Sequence, residues 1–99
     1  MTEIIFNVNE EDDYSIISFV IPRVISPEDL VGLSPPKVDG GKGVILSGRG
    51  PIWLYCFLTH FYHSTTFIAT YDPRFGGAVI VESHHEKYFV GTTLEFGYK

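Results

Sequence analysis

One continuous segment constrains the fold of this chain more than any other. Gly43–Ser47 (GVILS) is a short apolar run of the kind that forms a fully buried strand. A glycine-rich loop follows it. Pro51–His63 then predicts a helix with proline at its first position, and Thr65–Tyr71 (TTFIATY) predicts a second strand. A strand, a helix and a strand in this order predict a right-handed parallel crossover.

The segments on either side predict strands that extend the sheet. Two early strands are joined by an acidic turn into a hairpin, and two later strands follow the central unit. These four strands are Glu3–Val8, Tyr14–Ile21, Ala78–Glu82 and Tyr88–Phe96. A short helix is predicted at Ser26-Pro27, where an N-cap residue precedes a proline. We therefore expect one α/β domain over residues 1–99, Rossmann-like at its centre, with the remaining strands added antiparallel.

The composition excludes several classes of protein. Of the 99 residues, 44% are hydrophobic and 15% are aromatic, which is too apolar for a disordered chain. The longest apolar stretches fall short of roughly 20 residues, so no membrane span is expected. The acidic, strand-like start does not resemble a secretory leader. Cys56 is the single cysteine and lies within the apolar helix, so we expect a buried thiol and a cytoplasmic protein.

The charge is unevenly distributed along the chain. Residues 1–39 carry eight acidic side chains and two basic ones. Residues 40–99 carry five basic and four acidic side chains, and all four histidines. The net charge of −5 argues against binding long duplex nucleic acid through a basic surface. The first part is typical of a solvated scaffold, so we expect the chemistry in the second part.

The loop after the first central strand has the features of an anion site. Ser47-Gly48-Arg49-Gly50 leads directly into the helix at Pro51, so free backbone N–H groups and the helix dipole face whatever lies above it. The glycines let a ligand approach the backbone, and the Arg49 guanidinium suits a phosphate. The alternative is an ordinary tight turn with a solvent-facing arginine, because the segment matches neither a dinucleotide fingerprint nor a P-loop.

Histidines cluster at the other end of the helix. His60 and His63 are three residues apart, so both can lie on one helical face. His84-His85 ends the next strand, and because a strand places neighbours on opposite faces, only one of the two can join the helical pair. Three imidazoles, or two with a carboxylate, would suit manganese, zinc or iron. The alternative is a set of surface histidines favoured by the helix dipole alone.

The turn Asp72-Pro73-Arg74 follows the second central strand. Both parallel strands of a crossover end at the same edge of the sheet, so this turn and the Ser47–Gly50 loop are expected together at the upper edge. The predicted helix of thirteen residues is about 20 Å long, which carries its histidines to the lower edge. A substrate that needs both ends would therefore require stacked subunits. In the simpler interpretation, Asp72 only pairs with Arg74 inside the turn.

These motifs occur together in one known family. The segments SGRGPIWLYCFLTHFYH, FIATYDPR and AVIVESH resemble the small CRISPR-associated ring nucleases known as Csx-three, over roughly Gly43 to His84. The resemblance implies a CARF-like (CRISPR-associated Rossmann-like) fold that works as a homodimer. It also implies binding of cyclic tetra-adenylate, the second messenger of type III CRISPR systems. Cleavage to linear di-adenylate would follow, with help from manganese or another divalent metal.

The resemblance also implies roles for individual residues. The family's catalytic histidine, aspartate and arginine fall on His63, Asp72 and Arg74. The implied ligand-binding residues, contributed by both chains across the dimer axis, are Ser47, Gly48, Arg49, Gly50 and Pro51. The implied metal ligands are His60, His63, Asp72 and His84. A second dimer would close over the ring, giving a tetramer or filament in which the two ends of the helix serve one substrate.

Two other functions fit the same residues. A non-catalytic module would sense cyclic oligoadenylate or bind short single-stranded RNA, with helix aromatics stacking on the bases. Those aromatics are Trp53, Tyr55, Phe57, Phe61 and Tyr62, and their spread around the helix favours packing instead. A manganese-dependent exonuclease would remove adenylates from RNA 3′ ends with the same metal site. Cyclic and linear substrates, compared with and without manganese, separate these functions.

Overall fold

The computed structural model describes residues 4–95, which form one mixed sheet of six strands and a single α-helix. The strands are β1 Ile5–Glu10, β2 Tyr14–Val20, β3 Gly43–Gly48, β4 Phe67–Asp72, β5 Gly77–Ser83 and β6 Thr93–Glu95. The helix α1 spans Ile52–Phe61, and a short 3₁₀ helix spans Pro27–Leu30, as predicted after Ser26. The predicted strand ends at Glu3 and Phe96 lie outside the described residues. The predicted α/β class is confirmed.

The strands lie in the sheet in chain order, from β1 to β6. β3 and β4 are parallel and are connected through α1, which confirms the central strand–helix–strand crossover. The prediction that the other strands add antiparallel is wrong for β2, which pairs with β3 in parallel, with Tyr14 beside Gly43 and Phe19 beside Gly48. Residues 21–42 return the chain to the starting end of the sheet, and a connection of that length permits a second parallel pair.

The last strand is shorter than predicted. β6 covers only Thr93–Glu95, and the residues before it form a turn. Gly91 has a φ of 94°, a conformation that favours glycine, and its N–H donates to the carbonyl of Ile80. Tyr88, predicted to begin the strand, instead lies against Phe67 with the ring centroids 4.3 Å apart. The glycine bend therefore sets the start of β6, which the alternating pattern alone does not show.

The sheet buries apolar side chains on both of its faces. The core on the helix side is formed by Ile17, Phe19, Val44, Leu46, Leu54, Leu58, Tyr62 and Ile68. The core on the opposite side is formed by Ile16, Ile45, Phe67, Ala69, Ala78 and Ile80. Successive residues of β3 belong to the two cores in turn, which explains why this strand is an unbroken apolar run.

The helix is shorter than predicted at both ends. It begins at Ile52, with Pro51 as the N-cap, and ends at Phe61, so that His63 lies just beyond it. Ten residues make a helix about 15 Å long. Within residues 4–95, no helix is both long and apolar enough to cross a membrane.

The expectation of a buried thiol is wrong, because Cys56 is exposed. The helix buries Leu54 and Leu58, which are four residues apart and therefore share the face that packs on the sheet. Cys56 lies midway between them in sequence, which turns it away from that face. An apolar helix sequence does not by itself identify which side is covered.

Candidate functional site

The loop after β3 is tied to its surroundings by packing as well as by hydrogen bonds. Ser47 is buried, whereas Gly48, Arg49 and Gly50 are exposed. A Cβ on Gly48 would lie 2.6 Å from the backbone oxygen of Phe19 on β2, closer than any side chain tolerates. The sequence analysis attributes this glycine to the close approach of a ligand. The structure shows instead that a side chain here would collide with β2, which explains the glycine by packing.

The helix start adds an anchor that sequence reasoning missed. The Tyr55 hydroxyl donates a hydrogen bond of 2.6 Å to the carbonyl of Gly48, which fixes the loop to the first turn of α1. Pro51 caps the helix without a side-chain hydrogen bond. The first backbone N–H groups of a helix have no acceptor within it, and they carry partial positive charge. In α1 this applies to Ile52 and Trp53, because the N–H groups of Leu54 and Tyr55 already donate to the carbonyl of Pro51. With the exposed Arg49, this end of the helix is suited to an anion. The sequence feature that could have predicted this hydrogen bond is a tyrosine, Tyr55, one turn beyond a glycine-rich loop.

Asp72 and Arg74 form a compact ion pair at the surface, in which Asp72 is half-buried. The Arg74 guanidinium donates from Nη2 to Asp72 Oδ2 at 2.8 Å and from Nε to Oδ1 at 3.2 Å. The Arg74 backbone N–H also donates to Oδ1, at 2.9 Å. These contacts with Arg74 hold the pKa of Asp72 below its ordinary value and raise the pKa of Arg74. The arginine side chain is 81% exposed, so it is oriented by the carboxylate and still open to a ligand.

The sheet brings this ion pair and the loop to the same edge. The last parallel pair between β3 and β4 is Leu46 with Thr70, and Gly48 and Asp72 each lie two residues further along. This agrees with the position predicted from the crossover. We call this end of the protomer the loop pole and define it as Ser47–Pro51 with Asp72–Arg74.

Two imidazoles stack at the opposite end of the helix. His60 lies in the last turn of α1, and the His63 backbone N–H donates to the His60 carbonyl at 3.2 Å. The two ring centroids are 5.6 Å apart and the ring planes differ by 21°. The two rings lie side by side as the spacing predicted, although His63 lies beyond the end of the helix. Both are exposed.

His84 is the member of the His84-His85 pair that reaches the helix. Its Nε2 lies 2.9 Å from the backbone oxygen of His63 and 3.0 Å from Oε2 of Glu82. His85 instead accepts a hydrogen bond at Nδ1 from the backbone N–H of Lys87. We call this end the histidine pole and define it as His60, His63, Glu82 and His84.

The metal ligands implied by the resemblance do not converge in one chain. Among residues 4–95, no three His, Cys, Asp or Glu side chains are close enough together to hold a metal ion. Asp72 belongs to the loop pole, where Arg74 occupies its carboxylate, and the Nε2 of His84 is already engaged. One protomer therefore does not supply a metal site by itself.

A groove of about 570 Å³ runs along the helix between the two poles. Gly50 lines it at the loop pole and His60 at the histidine pole; the other lining residues are Ile52, Tyr55, Cys56, Thr59, Thr70 and Val81. None of these side chains is an arginine or a lysine, and Ile52 and Val81 are 82% and 44% exposed. The groove thus lacks the positive charge that a chain of phosphates requires. Trp53, Tyr55, Phe57 and Tyr62 belong to or pack against the helix-side core, which favours the packing role predicted for these aromatics, whereas Phe61 is 43% exposed.

Comparison with known proteins identifies the relatives of this chain. The family model for CRISPR-associated protein (Cas_csx3) matches residues 18–95. An uncharacterized protein of Aquifex aeolicus (strain VF5) is 47% identical over 89 residues, which cover 86% of this chain and 80% of that protein. The residues matched by the family model include both poles and the helix between them. The chain therefore belongs to the Cas_csx3 family of CRISPR-associated proteins.

Proposed function

We propose that this protein is a ring nuclease that cleaves cyclic tetra-adenylate to linear di-adenylate and so switches off type III CRISPR signalling. The observation that carries the proposal is the division of the protomer into two poles, one suited to phosphate and one to proton transfer, at opposite ends of a ten-residue helix. Membership of a CRISPR-associated family supports it. The sheet with its β3–α1–β4 crossover is compatible with a CARF-like fold, and the site of action would be the cytoplasm.

The loop pole would bind the ring. Four phosphates in a compact ring can be met by backbone N–H groups and by two copies of Arg49, without a basic surface. This arrangement needs a homodimer with the loop, Ser47–Pro51, close to the two-fold axis. The groove beginning at Gly50 would then lie near that axis, and its exposed Ile52 and Val81 would be covered by the second chain. An apolar groove without arginine or lysine suits such a contact better than it suits RNA.

A second dimer would supply the histidine pole. In each cut, the 2′-hydroxyl of one adenosine loses its proton to His63 and attacks the adjacent phosphorus. The bond from phosphorus to the 5′ oxygen breaks, and that oxygen takes up a proton to leave as a 5′-hydroxyl, with a 2′,3′-cyclic phosphate on the other product. Arg74, oriented by Asp72, would stabilise the charge on the pentavalent phosphate. Alignment of the attacking and leaving oxygens supplies much of the remaining acceleration.

Manganese, or another divalent metal, belongs to the proposal as a group held between chains. Within residues 4–95 of one protomer, the side chains that could bind a metal do not converge. The ligands of the metal would therefore come from the histidine pole of one dimer and from Asp72 of another. Bound there, it would help to neutralise the phosphate.

The proposal is tested by incubating the protein with cyclic tri-, tetra- and hexa-adenylate and with linear oligoadenylate, with and without manganese, and separating the products by chromatography. We expect cyclic tetra-adenylate to yield di-adenylate. Cyclic ligand recovered uncut with excess protein and manganese would overturn the proposal in favour of a binding module. Shortening of linear RNA from its 3′ end, with the ring intact, would identify an exonuclease.

A further inference from the structure

Glu82 is a carboxylate beside the proposed catalytic end to which neither the family motif nor the reaction above gives a role. Its Oε2 lies 3.0 Å from Nε2 of His84, and the same nitrogen lies 2.9 Å from the backbone oxygen of His63. A carboxylate oxygen and a carbonyl oxygen are both acceptors. Nε2 must therefore carry the hydrogen and donate to both. In the neutral ring, Nδ1 is then the nitrogen with the free lone pair.

A β-bulge places these groups on the helix side of the sheet. Ala69 pairs with Ile80, but the next residue back, Ile68, pairs with Glu82, so Val81 has no partner in the register. Under strict alternation Glu82 and His84 would share the face of Ile80, which belongs to the core opposite the helix. The extra residue reverses the alternation. Glu82 then lies on the same face as Ile68, which packs in the helix-side core.

We propose that Glu82 is a positioning residue for the histidine pole. By accepting the Nε2 hydrogen of His84, it fixes that ring across the backbone carbonyl of His63, one residue beyond the C-cap of α1. It also selects the tautomer in which Nδ1 is the nitrogen available to a substrate proton or a metal. Carboxylates that orient histidines in this way hold rings in register at many enzyme sites. The consequence for catalysis rests on the proposed ring nuclease function; the tautomer assignment does not.

Glu82→Ala removes the acceptor, and Glu82→Gln keeps an acceptor oxygen in a side chain of the same shape. Glu86→Ala is a matched control, because it removes an equal charge from an exposed position two residues beyond His84. We expect Glu82→Ala to lower kcat on cyclic tetra-adenylate about tenfold or more. Binding of the ring, a property of the other pole, should change less than about twofold. Glu82→Gln should recover most of kcat, and Glu86→Ala should match the wild type.

Nitrogen-15 NMR of the histidine rings provides a readout that does not depend on activity. The signals of His84 are assigned by their loss in His84→Gln. We expect hydrogen on Nε2 in the wild type and in Glu82→Gln, and a mixture of tautomers in Glu82→Ala. Hydrogen on Nδ1 alone in the wild type would overturn the proposal, and so would a Glu82→Ala protein that matches the wild type in both its spectrum and kcat.

The two proposals fail in different ways. If the wild-type protein cleaves no cyclic oligoadenylate, the ring nuclease function is wrong, and the NMR experiment still decides whether Glu82 selects the tautomer of His84. If the wild type cleaves and Glu82→Ala cleaves equally well, only the positioning role is wrong.

Discussion

The two poles of this small protein are built in different ways. The loop pole consists of exposed backbone and an ion pair at the surface, in which the Arg74 side chain is 81% exposed, is hydrogen-bonded to Asp72 and lies over the Phe75 ring. At the histidine pole, the His84 ring is hydrogen-bonded to Glu82 on β5 and to the backbone oxygen of His63, and the His60 and His63 rings stack on each other. The Arg74 side chain can therefore adapt to a ligand, whereas the hydrogen bonds of His84 fix the position of its ring. This difference suits ring binding at one end and proton transfer at the other.

The largest expected effect is the recovery of cleavage activity when two inactive variants, each damaged at a different pole, are mixed. Arg49→Ala damages only the loop pole and His63→Ala only the histidine pole. Each should lose about 100-fold or more of its cleavage activity. If one site takes its two halves from different protomers, the mixture contains intact pairs, and we expect activity at least tenfold above either variant alone. Cleavage of cyclic tetra-adenylate, followed by chromatography at equal total protein, measures the effect.

The matched control for mixing pairs Arg49→Ala with the double variant Arg49→Ala/His63→Ala, which offers no intact loop pole. We expect no recovery in that mixture. Should the first mixture also stay inactive, the two halves would belong to one protomer, and the separation of ring binding from proton transfer would be wrong.

An intermediate effect is expected at the ion pair. Asp72→Asn keeps an oxygen that can accept the Arg74 backbone N–H but loses the charge that orients the guanidinium. We expect kcat to fall about tenfold, because the stabilising group is still present but less well aligned. Affinity for the ring should change by less than about threefold. Steady-state kinetics and ligand titration measure the two quantities. A loss of affinity with kcat intact would make the pair a binding element only.

The smallest effect concerns Tyr62, which anchors the chain next to His63. Its buried hydroxyl donates to the carbonyl of Pro36 at 2.5 Å, and burial raises the pKa of Tyr62 above its ordinary value near 10. The stabilisation is therefore complete below pH 10 and declines as the pH rises above 10 toward the higher folded-state pKa. Tyr62→Phe should lower the free energy of unfolding by about 1 kcal/mol at pH 8.

Urea unfolding at pH 8 and pH 11 checks this prediction. The difference in unfolding free energy between the wild type and Tyr62→Phe should be smaller at pH 11, because only the wild type loses stability from this group. An equal difference at both pH values would show that the pKa of Tyr62 is not raised in the folded protein.

Much of the fold and the division of the site followed from local patterns. The unbroken apolar run of β3, the proline before the helix and the Asp-Pro-Arg turn predicted the crossover and therefore which residues share an edge. The parallel pairing of β2 was missed because it depends on the path of residues 21–42, which carries no periodic signal. The exposure of Cys56 was missed because the helix is apolar on several sides.

The role of Glu82 was the hardest to anticipate. The sequence showed a carboxylate flanking the histidines, but counting alternate residues from Ile80 places it on the face opposite the helix. The register shift at Val81 corrects the count. A bulge of this kind arises from long-range pairing of two strands, so the sequence of one strand does not reveal it.

The unpaired residue in β5 also bears on how members of this family diverge. A β5 in which Val81 paired with Ile68 in strict alternation would contain the same residues in the same order, yet it would turn Glu82 and His84 to the face opposite the helix. Loss of the single codon for Val81, in contrast, would leave Glu82 directly after Ile80 and therefore still on the helix side. Under the proposed function, a relative with the complete set of motifs but a regular β5 would be a candidate receptor rather than an enzyme.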